Sequence, residues 1–226
     1  MVEESKFFHV GIEMGGTTCK VGMFDQTLKN RLEHKIFPTS DKDAQETLNL
    51  MSAFILEKCG SSLKSIGIAC FGPLNLDHTS KDFGTITTTP KLAWQNVGIY
   101  NFFKTKFNLD NSNIFIDTDC NVCAMYEFLQ LKSNTSEKSV KESMCYVTVG
   151  TGVGIGLIIN SKTVHGALHP EGGHVRVPRH PLEKENFKGV CPFHGDCIEG
   201  MTSNISIKER LGLESVDQVA EISDEH

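Results

Sequence analysis

Two stretches of the chain repeat one pattern, in which an apolar strand enters a glycine-rich turn and a second strand follows at once. The first runs through FFHVGIE at 7–13 into MGGTT at 14–18, and the second runs through 144–149 into GTGVGIG at 150–156 and a strand at 157–160. Gly15 and Gly150, which open the two turns, stand 135 positions apart. The repetition predicts a duplicated α/β architecture with two glycine-rich turns facing each other across a cleft.

The composition of both turns suits an anion. Glycine lets backbone amides approach a phosphate closely, and threonine hydroxyls add donors. Neither stretch matches G-x4-G-K-[ST], and no helix directly follows the first turn as a dinucleotide fingerprint requires. The predicted phosphate-contacting residues are Gly15, Gly16, Thr17, Thr18, Gly150, Thr151 and Gly152.

A compact set of metal-ligand residues lies at 191–197, where Cys191, His194 and Cys197 follow C-x2-H-x2-C spacing. A tetrahedral zinc needs a fourth ligand, which His174 or His180 upstream could supply. Ordinary buried thiols are the alternative. Three nitrogen and sulfur ligands within seven residues favour a structural zinc in a chain without a secretion signal.

The remaining cysteines lack regular spacing and are interpreted as reduced thiols. Cys120 and Cys123 form a C-x2-C pair at a predicted helix start, but no second pair follows at zinc-finger distance.

Overall composition excludes several classes of partner. The chain has 226 residues and a net charge of −6, so no basic surface for nucleic acid or anionic membrane is expected. No apolar run approaches the ~20 residues that span a bilayer. The N-terminal segment carries acidic residues where a signal peptide needs basic ones, so a cytoplasmic protein is expected.

Between the two turns, the pattern predicts a covering helix at 41–58 and a buried strand at 63–71 that stops at Gly72-Pro73. The apolar residues at helical spacing in the predicted helix are Leu48, Met51, Phe54 and Ile55. The segment 82–100 is irregular and contains the only tryptophan, Trp94. It is either a loop over a cleft or a solvated loop whose Trp94 fills the core.

A short strand at 113–117 leads into Asp117-Thr118-Asp119 and a predicted helix from Val122 to Leu131. Carboxylates at the C-terminal end of such a strand occupy the usual ligand edge of an α/β sheet. Local sequence alone favours Asp119 as a helix N-cap over a catalytic role. The tail from Ile198 is helix-prone.

Taken together, the segments resemble the ROK family of sugar kinases, and within it the bacterial-type fructokinases. GIEMGGTT and GTGVGIG resemble its two phosphate loops, and DTDCNVCAMYE resembles the segment with its catalytic aspartate. EGGHV and CPFHGDC resemble its glutamate–histidine turn and zinc loop, while TITTTPKLAWQN and Glu13 are typical of the fructokinase branch.

The resemblance implies an actin-like, ribonuclease H-like two-lobed ATPase fold, with lobes at 1–118 and 119–226 and the second lobe incomplete. It implies phosphoryl transfer from Mg²⁺-ATP to a hexose, foremost fructose, with Asp119 as general base. Members commonly pair as homodimers. The implied sugar-contacting residues are Gly72, Pro73, Thr118, Asp119, Glu171 and His174, and His174 doubles as the fourth ligand of a structural Zn²⁺ with Cys191, His194 and Cys197.

Two departures from the family stand out. Thr18 occupies a position where members often have lysine, and Lys20 lies two residues on. Members are also longer, so the adenine pocket is expected to be missing from this chain. The alternative expectation is a truncated product that binds sugar without phosphorylating it.

Overall fold

A computed structural model describes residues 8–134, 142–166, 169–183 and 187–221. They divide into two compact units. The first comprises residues up to 123 together with 165–169, and the second comprises 124–164 and the chain from 170 onward. The prediction of lobes at 1–118 and 119–226 rests on the sequence alone.

The first unit is built on a five-stranded sheet in the order β3-β2-β1-β4-β5. β1 pairs antiparallel with β2 and parallel with β4, and β4 pairs parallel with β5. The C-terminal ends of β1, β4 and β5 therefore meet at one edge of the sheet. The strands are β1 (Phe8–Met14), β2 (Thr18–Phe24), β3 (Arg31–Pro38), β4 (Leu63–Cys70) and β5 (Ile114–Thr118).

Helices α1 (Ala44–Cys59) and α2 (Ile99–Phe107) belong to the first unit, and α3 (Asp119–Asn134) follows β5. Asp43 is the N-cap of α1, and its carboxylate accepts a hydrogen bond from the Gln45 amide at 2.8 Å. Gly60 is the C-cap. The apolar stripe of α1 packs into the core because residues at i, i+3, i+4 and i+7 share one helix face. The buried residues of that stripe, all predicted, are Leu48, Met51, Phe54 and Ile55.

β3 was not predicted from the sequence. It lies at the edge of the sheet, and only Phe37 among its eight residues is buried. A strand exposed on both faces carries no apolar alternation, which is the signal that reveals a half-buried strand.

The segment 82–100 follows the core-filling alternative for its tryptophan. Trp94 is fully buried, lies in a one-turn 3-10 helix (Leu92–Trp94), and packs edge-on against Phe71 with ring centroids 5.6 Å apart. Its indole Nε1 donates a hydrogen bond to the Ser40 carbonyl at 2.8 Å. The buried indole therefore holds this segment against the chain that follows β3.

The second unit contains a three-stranded antiparallel sheet of β6 (Met144–Val149), β7 (Val153–Ile159) and β8 (Lys162–Thr163). β7 begins earlier than the predicted 157–160 strand, because Gly154 and Gly156 pair with β6 and do not continue the turn. A small cluster of Ala124, Phe128 and Ile158 is buried beside the sheet.

The helix-prone tail forms α4 (Ile198–Thr202), α5 (Asn204–Leu211) and a 3-10 helix (Val216–Glu221). Ser203 separates α4 from α5 and caps α5 by accepting a hydrogen bond from Ser206. No helix in the described ranges is long and apolar enough to cross a membrane.

Candidate functional site

The first glycine-rich turn closes through a hydrogen bond from the Gly15 amide to the Thr18 carbonyl at 2.9 Å. Thr39, on the segment after β3, holds the turn in place through two hydrogen bonds. Its hydroxyl donates to the Gly15 carbonyl at 2.8 Å, and its amide donates to the Thr17 carbonyl at 3.0 Å. Gly16 and Thr17 stay exposed at the tip, so their amides are available to a ligand.

Asp119 is the first residue of α3, directly after β5. The capping role belongs to Thr118, whose hydroxyl accepts the Asn121 amide at 3.2 Å. The Asp119 carboxylate accepts a hydrogen bond from the amide of the adjacent Cys120 at 2.8 Å. Local sequence favours Asp119 as the N-cap of α3. In the structure Thr118, one position earlier, is the N-cap instead.

Burial raises the pKa of the Asp119 carboxyl group above its usual value. The Cys120 hydrogen bonds and the nearby His169 oppose this shift, whereas the negative charge of Glu13 adds to it. Burial of the Cys70 thiol, with Asp119 as a neighbouring negative charge, raises the pKa of that thiol. Asp119 therefore lies near the C-terminal ends of β1 and β4, where Glu13 and Cys70 stand.

A second carboxylate, Asp117, is held in a hydrogen-bonded network beside Asp119. It accepts the Thr118 amide at 2.7 Å and the Asn121 side-chain amide at 3.0 Å, and its other oxygen lies 3.1 Å from His165 Nε2. Asn121 is fully buried, and its Oδ1 has no hydrogen-bond partner among the residues that the structure describes. The network fixes the start of α3, and with it the Asp119 backbone.

Gly72 and Pro73 follow β4 at the same sheet edge and are joined by a cis peptide bond. The Pro73 carbonyl accepts hydrogen bonds from both the amide and the hydroxyl of Thr87, at 2.8 and 3.2 Å. This contact fastens the turn after β4 to the segment that contains Trp94.

In the second unit, the glycine-rich turn closes through a hydrogen bond from the Gly150 amide to the Gly152 carbonyl at 2.8 Å. The Asn204 amide at the start of α5 donates to the Gly150 carbonyl at 2.8 Å. Thr151 is exposed at the tip.

Glu171 precedes a 3-10 helix (Gly172–His174) that packs on β7. Gly173 lies so close to this strand that a Cβ on it would fall 1.9 Å from the Val153 carbonyl oxygen. Only glycine permits this approach, and it fixes both Glu171 and His174 relative to β7.

Four side chains of the second unit come together as a candidate metal centre: His174, Cys191, His194 and Cys197. Their ligand atoms all lie within 4.8 Å of one another. His174 Nδ1 is 3.6 Å from Cys191 Sγ and 3.5 Å from Cys197 Sγ, and Cys191 Sγ is 3.7 Å from His194 Nδ1.

These separations fit a metal ion with tetrahedral coordination. Zn–S bonds of about 2.3 Å and Zn–N bonds of about 2.0–2.1 Å place adjacent S and N ligands about 3.6 Å apart. His180, the other candidate histidine, is exposed, and its Nδ1 accepts the Leu182 amide at 3.2 Å. The Asp196 carboxylate is paired with Arg176 and Arg179 at 3.4 and 3.3 Å, so its charge is already matched.

The ROK family profile matches residues 9–223, which is nearly the whole chain. The chain belongs to the ROK family. It is 40% identical over 204 residues to a fructokinase of Zymomonas mobilis, covering 89% of this chain and 64% of that one. It is 36% identical over 218 residues to a fructokinase of Streptococcus mutans, covering 94% of this chain and 69% of that one.

Solved structures show the fold of this ROK chain. A ROK family glucokinase from Streptomyces griseus, crystallised with glucose and AMPPNP, superposes with a TM-score of 0.63 at 20% identity. The match covers 89% of this chain and 59% of the glucokinase. The actin-like α/β fold class predicted from the sequence is confirmed.

Three residues of the site were not singled out from the sequence of this ROK chain. Glu199 accepts a hydrogen bond from the Val153 amide at 3.0 Å. His169 is buried, and within the described part of the chain its Nδ1 has no hydrogen-bond partner. Lys91 lies beside the first turn, because a Cβ added to Gly16 would fall 3.7 Å from Lys91 Cε. The contacts of Glu199 and Lys91 join segments distant in sequence, so no local pattern predicts them.

Proposed function

We propose that this ROK chain carries the catalytic base and the sugar- and phosphate-binding elements of an ATP-dependent hexose kinase, with D-fructose as the substrate. The observation that carries the proposal is Asp119. It is a half-buried carboxylate at the ligand edge of the sheet, its pKa is raised, and Thr118 relieves it of capping α3. The relatives named fructokinases support fructose as the sugar.

In the proposed reaction, Asp119 accepts the proton of the sugar 6-hydroxyl group. The hydroxyl oxygen forms a bond to the γ-phosphorus of ATP while the bond from that phosphorus to the bridging oxygen of ADP breaks. The products are fructose 6-phosphate and ADP. A raised pKa makes the carboxylate a stronger base, which favours proton acceptance during an in-line transfer.

The two glycine-rich turns are assigned to the phosphates. Gly15, Gly16, Thr17 and Thr18 in the first, and Gly150, Thr151 and Gly152 in the second, present amides and hydroxyls. Mg²⁺ bound to the phosphate oxygens neutralises the charge that develops on them.

Glu171 and His174 are assigned to the sugar hydroxyls, together with Thr118 and the Gly72-Pro73 turn. Glu171 suits this role because the close packing of Gly173 on β7 gives its backbone one position. A carboxylate accepts hydrogen bonds from two hydroxyls at once.

A structural zinc is assigned to His174, Cys191, His194 and Cys197. The donor set of two thiolates and two imidazoles is the one that zinc prefers, and the 3.5–3.7 Å separations suit it. Zinc bound there supplies folding energy by joining the 3-10 helix after Glu171 to the 191–197 loop.

A coupled assay of purified, zinc-loaded protein with D-fructose and Mg²⁺-ATP tests the proposal. Asp119→Asn should lower kcat by about 10²–10⁴-fold because the proton acceptor is lost. Fructose affinity, measured by calorimetry, should change only a few-fold. Asp110→Asn, on an exposed loop before β5, is the matched control.

Two results would reject the assignment. One is the absence of turnover with any hexose from folded, zinc-loaded protein. The other is full activity in Asp119→Asn. Fructose binding without turnover would instead identify a chain that binds sugar but does not phosphorylate it.

A further inference from the structure

The segment that contains Trp94 brings a lysine to the first glycine-rich turn. Lys91 stands three residues before the buried indole, whose Nε1 is bonded to the Ser40 carbonyl. The Gln95 side chain donates to the Thr89 carbonyl at 3.0 Å and closes the segment on itself. Lys91 is therefore held on a fixed piece of backbone beside the chain that leaves β3.

The Lys91 side chain extends along the turn. Its Cε lies 3.7 Å from the point where a Cβ on Gly16 would be, and the side chain is only 22% exposed. Its ammonium group contacts the carboxylate of Asp41, whose side chain is 76% exposed. A positive charge thus stands next to the exposed amides at the tip of the turn, paired with a solvent-facing carboxylate.

Other candidate cations near the turn are less suitable. Lys20 is bound to both oxygens of Glu13, at 2.9 and 3.1 Å. Thr18, within the turn, offers a hydroxyl and no charge. Residues 14–18, which form the turn, include no cation, and Lys91 reaches the turn from a distant segment.

We propose that Lys91 is the phosphate-binding cation of the first glycine-rich turn. Its ammonium group leaves Asp41 and binds a terminal phosphate oxygen while the turn amides bind the others. The identity of the anion as a nucleoside triphosphate rests on the function proposed above. A lysine ammonium is a compact charge on a flexible stem, which suits exchange between a carboxylate and a phosphate.

Calorimetric titration with inorganic triphosphate tests this site without requiring turnover. Lys91→Met should weaken binding by about 10- to 100-fold, as expected for loss of a charged hydrogen bond to phosphate. Lys91→Arg should retain most of the affinity. Lys29→Met, in the turn between β2 and β3 at the far end of β2, removes the same charge and should change the affinity less than about 2-fold.

Asp41→Asn separates phosphate binding from a structural ion pair. If Lys91 serves the phosphate, removing its competing carboxylate should leave the affinity unchanged or raise it, so the two variants diverge. If the ion pair only holds the segment in place, Asp41→Asn should weaken binding as Lys91→Met does. That outcome overturns the inference, as does wild-type affinity in Lys91→Met or no triphosphate binding by the wild type.

Failure of this site and failure of the proposed function are distinguishable. Lysine-dependent triphosphate binding without hexose phosphorylation would reject the kinase reaction and uphold the site. An active enzyme whose KM for ATP and kcat are unchanged by Lys91→Met would uphold the reaction and reject the site.

Discussion

The Glu199 carboxylate accepts a hydrogen bond from the Val153 amide at 3.0 Å, and so joins α4 to the start of β7. α4 begins directly after Cys197, a member of the candidate metal centre. The carboxylate also lies against Gly152, where a Cβ would fall 2.6 Å from Glu199 Oε2. The second glycine-rich turn and the metal centre are therefore connected through two residues of chain and one hydrogen bond.

Glu199→Ala should speed hydrogen exchange of the Val153 amide, because the amide loses its acceptor and the turn opens locally. Glu199→Gln keeps a side-chain oxygen and should preserve most of the protection. Glu209→Ala, exposed on α5, is the control. Native-state exchange resolved by NMR measures all three. Equal Val153 exchange in wild type and Glu199→Ala would show that the carboxylate does not hold the turn.

Removal of the proposed zinc should destabilise the protein. Chelation or Cys191→Ser should lower Tm by roughly 5–10 °C, because a structural zinc contributes folding free energy directly. Cys145→Ser alters an exposed thiol outside the metal centre and should leave Tm nearly unchanged. Calorimetry with metal content measured by native mass spectrometry makes the test. An unchanged Tm after verified metal loss would contradict it.

Gly173→Ala should destabilise the fold by ~3 kcal/mol, since its Cβ would fall 1.9 Å from the Val153 carbonyl oxygen and the backbone cannot yield. Gly150→Ala places its Cβ in open space within the same unit and should cost far less. Urea denaturation followed by circular dichroism compares the two. Similar midpoints would mean that the 3-10 helix after Glu171 is not packed on β7.

Asp119→Asn should stabilise the protein at neutral pH. Burial raises the pKa of the folded-state carboxyl group, so ionisation is easier in the unfolded chain and stability falls as pH rises above the unfolded value of 3.8. The variant avoids this cost and should therefore unfold at a higher urea concentration than the wild type at pH 7. Below the unfolded pKa the Asp119 carboxyl group is neutral in both the folded and the unfolded state, so the gain in stability from Asp119→Asn should vanish. A gain that does not depend on pH would have another cause.

Elements with strong local periodicity were predictable from the sequence. β1 and β4 are short apolar runs that end at glycine, and α1 shows a clear apolar stripe. α3 begins at Asp119, three residues before the predicted start, because Thr118 and not a later residue supplies the cap. Caps one residue apart look alike in sequence when Asp and Thr alternate.

The metal-ligand group was locally encoded, since three of its members fall within seven residues. The contacts of Glu199 and Lys91 were not, because each depends on how two distant segments pack. From the sequence, Lys91 was known only as part of the segment TITTTPKLAWQN, which also contains Trp94. The position of its ammonium group follows from the burial of the Trp94 ring.

The burial of Trp94 has a practical consequence. It is the only tryptophan in the chain, and it lies in the core of the first unit. Its emission spectrum is therefore a built-in reporter of that unit alone, and a red shift marks water reaching the indole.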